Sequence, residues 1–262
     1  MSEFKSKLPV MLSIAGSDNT GGAGIQADIK TACRLGVYSA TVITAVTAQN
    51  HHGVAAMQYV GAEMLRKQID TLMVGYRPDA VKIGMLPNAE AVEIVADAAA
   101  KYGWRHVVLD PVIKATCDGC SLTGNSHGTA AMMVRNLFAL CDVITPNIPE
   151  YDYFTVEFGL DVFKKAKAML LKGGHGDDVN SVDRLHIFGD NPLEFAYSST
   201  KLDTRHTHGT GCVLSSAIAC GLAKGENIQT AVANAKRLID EALRKGMENP
   251  VTEQYGPLGL VC

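Results

Sequence analysis

The chain has 262 residues, 47% of them hydrophobic and 19% charged, which is enough apolar material for the core of one large α/β domain. A formal net charge of −3 excludes the basic surface of a nucleic-acid or membrane-surface binder, and no apolar run approaches the roughly 20 residues of a membrane span. The seven cysteines, an odd number scattered partly through apolar runs, point away from a disulfide framework and toward a reducing, cytoplasmic setting.

Short apolar runs alternate with helical patterns, the pattern of βαβ units around a mostly parallel sheet. Lys5 and Lys7 ahead of residues 8–16 imitate a short signal peptide, but the run ends in a glycine-rich turn and reads as a first strand over 10–16. A loop over 17–24 and a helix over 25–35 follow, with Gly36 at the helix stop. Residues 41–48, rich in β-branched side chains, predict the second strand; 63–73 predicts a helix, 80–83 a short strand ending at Gly84-Met85, and 89–102 an alanine-rich helix. Strands over 106–110 and 142–145 stop at Pro111 and Pro146, with a helix over 129–140 between them. After Asn147 the pattern demands a helix and then a strand, and 163–171 alone is asked to supply both. A full passage needs more residues, so the helix is expected to be cut to about two turns or the element degraded. Ile187 and Phe195 mark a β-hairpin, and helices are expected over 213–223 and 228–245. No linker, repeat or low-complexity block interrupts the chain, which reads as a single domain over 1–262.

Thr207-His208-Gly209-Thr210-Gly211-Cys212 precedes an apolar helix. A helix start carries unpaired N–H groups and a partial positive charge, and glycines let that backbone close on an anion. A thiol at such a start loses its proton more easily, so Cys212 is a candidate base beside an oxyanion or phosphate hole. Open parallel sheets place their sites beyond the carboxyl ends of the strands. The polar residues there are Asp18 with Gly21, Gly22 and Gly24, then Gln49-Asn50, Met85, Asp110, Asn147 with Glu150, Lys172, and the 209–212 turn. Asp110 suits Mg²⁺ through water or a place opposite a phosphate, and Asn147 with Glu150 suits a hard cation bound through waters. Lys172, after an apolar run and before two glycines, suits a phosphate. Each also has a bland reading: a cap, a solvated turn, a surface lysine, a buried cysteine. Residues 22–27 match a loose dinucleotide fingerprint, but no acidic residue lies between Asp28 and Glu63 to hold a ribose. Close approach to a small ligand or a tight strand–helix turn remains for those glycines. Cys117 and Cys120 have metal or redox spacing without a second pair, and His206 and His208 flank the anion turn.

With these residues placed, the chain resembles the hydroxymethylpyrimidine/phosphomethylpyrimidine kinases of thiamine biosynthesis, a branch of the ribokinase-like superfamily. The resemblance rests on 15–18, 21–31, 44–50, 82–86, 109–112, 145–150, 172–175 and 207–212, in the family's order and across nearly the whole chain. It implies an α/β, ribokinase-like three-layer α/β/α fold with a central mostly parallel sheet. It implies ATP with Mg²⁺, and K⁺ in addition, phosphorylating 4-amino-5-hydroxymethyl-2-methylpyrimidine and then its monophosphate to the diphosphate. Carried over by position, Gly16, Asp28, Gln49 and Met85 contact the pyrimidine. Asp110 and Glu150 serve the metal, Asn147, Lys172, Gly209 and Gly211 the nucleotide and its phosphates, and Gly209, Thr210, Gly211 and Cys212 the transfer itself. Cys212 stands where other ribokinase-like kinases carry an aspartate base. The family also suggests a homodimer. The chain departs from the family in a short 150–172 segment, in the Cys117–Cys120 stretch where a Gly/Ser-rich flap is usual, and in Arg205-His206 before the anion turn. Pyridoxal or pyridoxine kinase is the alternative within the fold, and a non-catalytic ligand-binding protein the alternative outside it.

Overall fold

The computed structural model describes residues 8–113, 125–173, 180–252 and 256–260; Cys117, Cys120, Gly174 and His175 lie outside them. The first apolar run becomes β1 (Val10–Asp18), and its neighbours on either side are β2 (Tyr38–Asn50) and β4 (Ala80–Ile83), both parallel to it. With β3 (Gly53–Tyr59), β5 (Val107–Leu109), β6 (Val143–Ile144), β7 (Ala168–Leu171), β8 (Asn180–Ile187) and β9 (Leu193–Thr200) they form one sheet of nine strands. The order is β3-β2-β1-β4-β5-β6-β7-β8-β9, parallel from β2 to β7, with antiparallel β3 at one edge and antiparallel β8 and β9 at the other.

Side chains alternate across this sheet, and each face is roofed by helices, giving three layers. Leu12 and Ile14 of β1 and Val81 and Ile83 of β4 share a core with residues of α2 (Ala62–Gly75), α3 (Ala89–Tyr102) and α5 (Ile148–Phe158). Met11, Val108, Val143 and Ala168 face the other way, into a core with α1 (Gly24–Arg34), α6 (Thr210–Ala223) and α7 (Ile228–Glu248). The same alternation turns Ser13 and Lys82, register partners on β1 and β4, toward this second layer. α6 is buried on every side because its small Ala and Ser residues let it lie between the sheet and its neighbours. Among the described residues, no helix is long and apolar enough to cross a membrane.

The elements run close to expectation with three differences. β2 begins earlier than predicted and folds back into β3, whose mostly exposed residues carry no core signal. The helix predicted over 129–140 starts as α4 (Ser126–Met132) and then passes through a π turn (Met133–Leu137) and a 3₁₀ turn (Phe138–Leu140). The segment after Asn147 is not degraded. α5 fills it directly, held by an apolar face of Tyr151, Phe154 and Phe158 at helical spacing. Residue 163 is then core packing in a short 3₁₀ turn, and 168–171 supply the strand alone. The shortened segment therefore carries both expected elements.

After β1 the chain crosses to β2 on one side and later returns to β4 on the other. The loops leaving β1 and β4 must diverge there, and a crevice opens at the carboxyl ends of the strands.

Candidate active site

That crevice is a cleft of about 450 Å³. Gly16, Gln49, Met85, Asp110, Asn147, Glu150, Lys172, Gly209, Thr210, Gly211 and Cys212 all line it. Asp28 does not, and this corrects its assignment to the pyrimidine. It is fully buried in α1, where its carboxylate accepts from Lys82 Nζ at 2.8 and 2.9 Å, Ser13 Oγ at 2.6 Å and Ser216 Oγ at 2.7 Å. Three groups already satisfy it through four hydrogen bonds, and no surface of it reaches the cleft. Burial opposes the Lys82 charge, but Asp28 outweighs it and Lys82 stays charged, its pKa raised.

At one end of the cleft, β1 runs into the glycine-rich turn. Gly24 opens α1 in the left-handed region (φ +57°), and a Cβ there would overlap the Gly16 carbonyl oxygen. Met85 lies against Gly16, its Cε 2.7 Å from where a Cβ would stand, so together they form the floor at this end and a side chain at Gly16 would push Met85 aside. Asp18 pins the turn. Its carboxylate accepts from the backbone of Thr20 and Ala23 at 2.8 Å and from Thr20 Oγ1 at 2.9 Å. It also accepts from His208 Nε2 at 2.8 Å, which ties the residue before Gly209 to the turn after β1. Burial works against the Asp18 charge, but the hydrogen bonds from His208, Gln49 and Thr20 outweigh it and hold the carboxyl well below the usual range. The sequence places Asp18 on the rim and His208 beside the anion turn; their bond across 190 residues has no local signal.

At the other end lies the start of α6. Gly209 is its N-cap at φ +87° and offers no capping side chain. Thr210 N–H is spent on Thr207 O at 3.2 Å, so Thr210 supplies no amide to an anion. The N–H groups of Gly211 and Cys212 remain in the open first turn. Cys212 requires a correction. Burial pushes its thiol up to about 11, only partly offset by nearby Lys82, so it is protonated at neutral pH. Desolvation outweighs the helix-start effect expected from the sequence. His206 sits away from the cleft, against Gly246 and Gly256.

Between the two ends stand the residues at the tips of β5, β6 and β7. Lys172 Nζ lies 2.7 Å from Asp110 Oδ1 and 3.9 Å from Glu150 Oε2. Burial disfavours its charge, but the two carboxylates raise its pKa. Asn147 and Glu150 form a capping box on α5: Asn147 N–H donates to Glu150 Oε2 and Glu150 N–H to Asn147 Oδ1, each at 2.8 Å. Asn147 Nδ2 and Glu150 Oε1 are what the pair can still turn to a ligand. Burial raises Glu150 to about 7, with Lys172 opposing and Asp110 adding to the rise. The cleft then continues between β8, β9 and α7, past Ser181, Asp183, Lys236, Ile239 and Leu243. Asp183 accepts from Gly173 N–H at 2.8 Å and pairs with Lys236 at 2.9 Å. Sequence reading missed this arm; the one signal was Lys236 at helical spacing from Ile239 and Leu243.

These donors suit a phosphorylated ligand. Among the described residues no three metal-ligating side chains cluster. Asp110 and Glu150 both face the Lys172 ammonium, and their oxygens are of the kind that a hard cation shares with phosphate and water.

The family model for phosphomethylpyrimidine kinase matches residues 18–259. The chain belongs to the phosphomethylpyrimidine kinase family. It is 38% identical over 258 residues to the hydroxymethylpyrimidine/phosphomethylpyrimidine kinase of Rhizobium meliloti, covering 95% of this chain and 96% of that one. It spans 52% of the plant bifunctional thiamine biosynthetic enzyme TH1 of Arabidopsis thaliana, with 37% identity. Among solved structures, the phosphomethylpyrimidine kinase of Clostridium difficile superposes with a TM-score of 0.75 at 36% identity, over 89% of this chain and 99% of that one. An ADP complex of pyridoxal kinase from Bacillus subtilis superposes with a TM-score of 0.82 at 30% identity, over 96% of each chain. The ribokinase-like reading of the fold therefore holds, and so does the kinase class.

Proposed function

We propose that the chain transfers phosphate from ATP to the hydroxymethyl group of 4-amino-5-hydroxymethyl-2-methylpyrimidine, and then a second phosphate to give the diphosphate. One observation carries this reading: a single cleft joins Gly16, Met85 and Gln49 at one end to an open helix start flanked by Asp110 and Lys172. Residues 1–262 act as one catalytic domain, a reading supported by one uninterrupted sheet.

The ring lies on the Gly16–Met85 floor with its hydroxymethyl group toward Cys212. The transferring phosphoryl group takes the Gly211 and Cys212 amides, and the nucleotide extends past Lys172 into the arm along α7. Lys172, already charged, offers its ammonium to phosphate oxygens that compete with Asp110. Asn147 Nδ2 donates to the nucleotide phosphates. Asp110 and Glu150 would hold Mg²⁺ through water, and a bound Mg²⁺ supplies neutralisation of phosphate charge. Phosphoryl transfer depends on positioning and charge neutralisation more than on a strong base, so a protonated Cys212 is compatible with it. In the second step the nucleophile is already a phosphate oxygen anion.

An ATP-coupled assay run in parallel with the hydroxymethylpyrimidine, its monophosphate and pyridoxal tests the reading. Turnover of both pyrimidines is expected. A higher kcat/KM on pyridoxal transfers the activity to the alternative that the Bacillus subtilis pyridoxal kinase structure favours. ATP-independent binding without transfer makes the chain a binding protein. Cys212→Ala should cost both steps alike and less than about tenfold, because a protonated thiol cannot take the hydroxymethyl proton; a loss of about 10² confined to the first step would make Cys212 the base after all. Equal losses in both steps would assign Cys212 to positioning alone.

A further inference from the structure

His208 is held on three sides. Its ring donates from Nε2 to Asp18 Oδ2 at 2.8 Å, in the turn after β1. Its backbone N–H donates to the Gly256 carbonyl at 3.1 Å, and a parallel bridge pairs it with Pro257. Gly22 closes the third side, where a Cβ would run into the His208 ring and stand 3.0 Å from Pro257 Cβ. The segment 256–260 is itself anchored. Leu258 is buried in the core shared with α6 and α7, and Gly259 N–H donates to Ala242 O of α7 at 2.9 Å. The His206 ring lies against Gly256, so both histidines ahead of the anion turn touch this segment. The residue after His208 is Gly209, the N-cap of α6, which has no capping side chain. What holds its lead-in therefore sets where the helix start stands.

We propose that His208 is a positioning residue for phosphoryl transfer: clamped between Asp18 and the Gly256–Leu258 segment, it sets where the Gly211 and Cys212 amides of α6 stand in the cleft. This rests on the phosphoryl-transfer reading of that helix start. His208 acts through Gly209 and not on the substrate, because its Nε2–H and its backbone N–H both go to protein acceptors. An amide aimed at a developing oxyanion contributes fully only at its proper distance, and a displacement of about 1 Å costs about 10²-fold. Removing the Nε2 donor leaves Gly209 tied by the 256–258 segment alone. Loosening that segment leaves it tied by Asp18 alone. The two anchors should therefore be separable by experiment.

Single-turnover phosphorylation reads the rate constant and the amplitude separately. His208→Ala should lower the rate constant about 10²-fold on both the pyrimidine and its monophosphate, at unchanged amplitude. His208→Gln carries an NH₂ at nearly the reach of Nε2 and should recover the rate to within about tenfold of wild type. Leu258→Ala, or the milder Leu258→Val if that does not fold, keeps the Asp18–His208 bond and should lower the rate constant about tenfold. A merely structural role reduces the amplitude, the fraction of active enzyme, at an unchanged rate constant, and overturns the proposal. His208→Gln as slow as His208→Ala overturns it too, as does a Leu258 variant at the wild-type rate. If His208→Ala does not fold, His208→Phe keeps a ring without the donor and takes its place; failure of both to fold makes the bond structural and also overturns the proposal. Calorimetry with inorganic phosphate separates this inference from the kinase reading. A wild type that binds phosphate without transferring it, with binding about tenfold weaker in His208→Ala, sinks the activity and sustains the clamp. Equal phosphate binding by the two sinks the clamp whatever the activity, and a wild type that neither transfers nor binds phosphate sinks both.

Discussion

Gly209→Ala is expected to lower kcat by about 10³ on both the proposed pyrimidine substrate and its monophosphate, while the protein stays folded. The reason is backbone against backbone. Gly209 lies at φ +87°, where an L side chain is strained, and its Cβ would overlap the Gly22 carbonyl oxygen and stand 2.8 Å from the Gly22 carbon. Neither partner is a flexible side chain, so the start of α6 must move off the glycine-rich turn. That displaces the Gly211 and Cys212 amides together, and each amide donor to a developing oxyanion contributes about 10²–10³. On the proposed site both steps use the same turn and should fall alike, and far more than the loss of under about tenfold expected of Cys212→Ala. Gly36→Ala and Gly103→Ala are the controls. Both glycines have positive φ but nothing within 4 Å of a Cβ, so they should cost only about 1 kcal/mol of stability and no activity. Single-turnover rates with circular dichroism decide the matter. Gly209→Ala at wild-type rate would mean that the turn does not hold the phosphoryl group.

The rim was legible in the sequence because a parallel sheet puts the end of every strand on one side. A glycine or polar residue closing each apolar run, as at Gly16, Asp110, Asn147 and Lys172, marks that side without any knowledge of strand order. What failed were inferences that needed a direction across the sheet. Asp28 follows the glycine-rich turn closely in sequence, yet it lies one turn into α1 within the buried set Ala27, Asp28, Thr31 and Ala32. That helical spacing was the available signal that it faces the core. Cys212 failed for a different reason. A helix start is a local feature, whereas desolvation depends on what packs above it. α5 was misplaced because the helix was sought in 163–171, whereas its face of Tyr151, Phe154 and Phe158 follows Asn147 directly. The arm of the cleft along α7 joins β8 and β9 to a lysine on that helix, residues distant in the chain with no shared motif.

Lys82→Met is expected to be the most destabilising single change, by about 3–5 kcal/mol, because it leaves the Asp28 carboxylate buried without its counter-charge. Both partners are wholly removed from solvent. A domain holds only about 5–15 kcal/mol in all, so the urea midpoint should fall steeply. Ser13 and Ser216 would still donate to Asp28, but two neutral hydrogen bonds do not replace an ammonium at 2.8 Å. Lys82→Met combined with Asp28→Asn removes both charges, keeps an oxygen acceptor for one serine and turns an NH₂ donor to the other, whose hydroxyl can accept it. It should recover most of the lost stability, since a buried ion pair replaced as a unit is often near neutral. A double variant no more stable than Lys82→Met would refute this account. Activity should not recover as fully. Ser216 is one helical turn after Cys212 on α6, and through Asp28 it ties that helix to Ser13 of β1 and Lys82 of β4. The pair thus joins the strand that runs to Gly16 to the helix that starts at Thr210, the two ends of the cleft. A neutral substitute holds those elements less stiffly, and the loss should appear in kcat with little change in the KM for ATP.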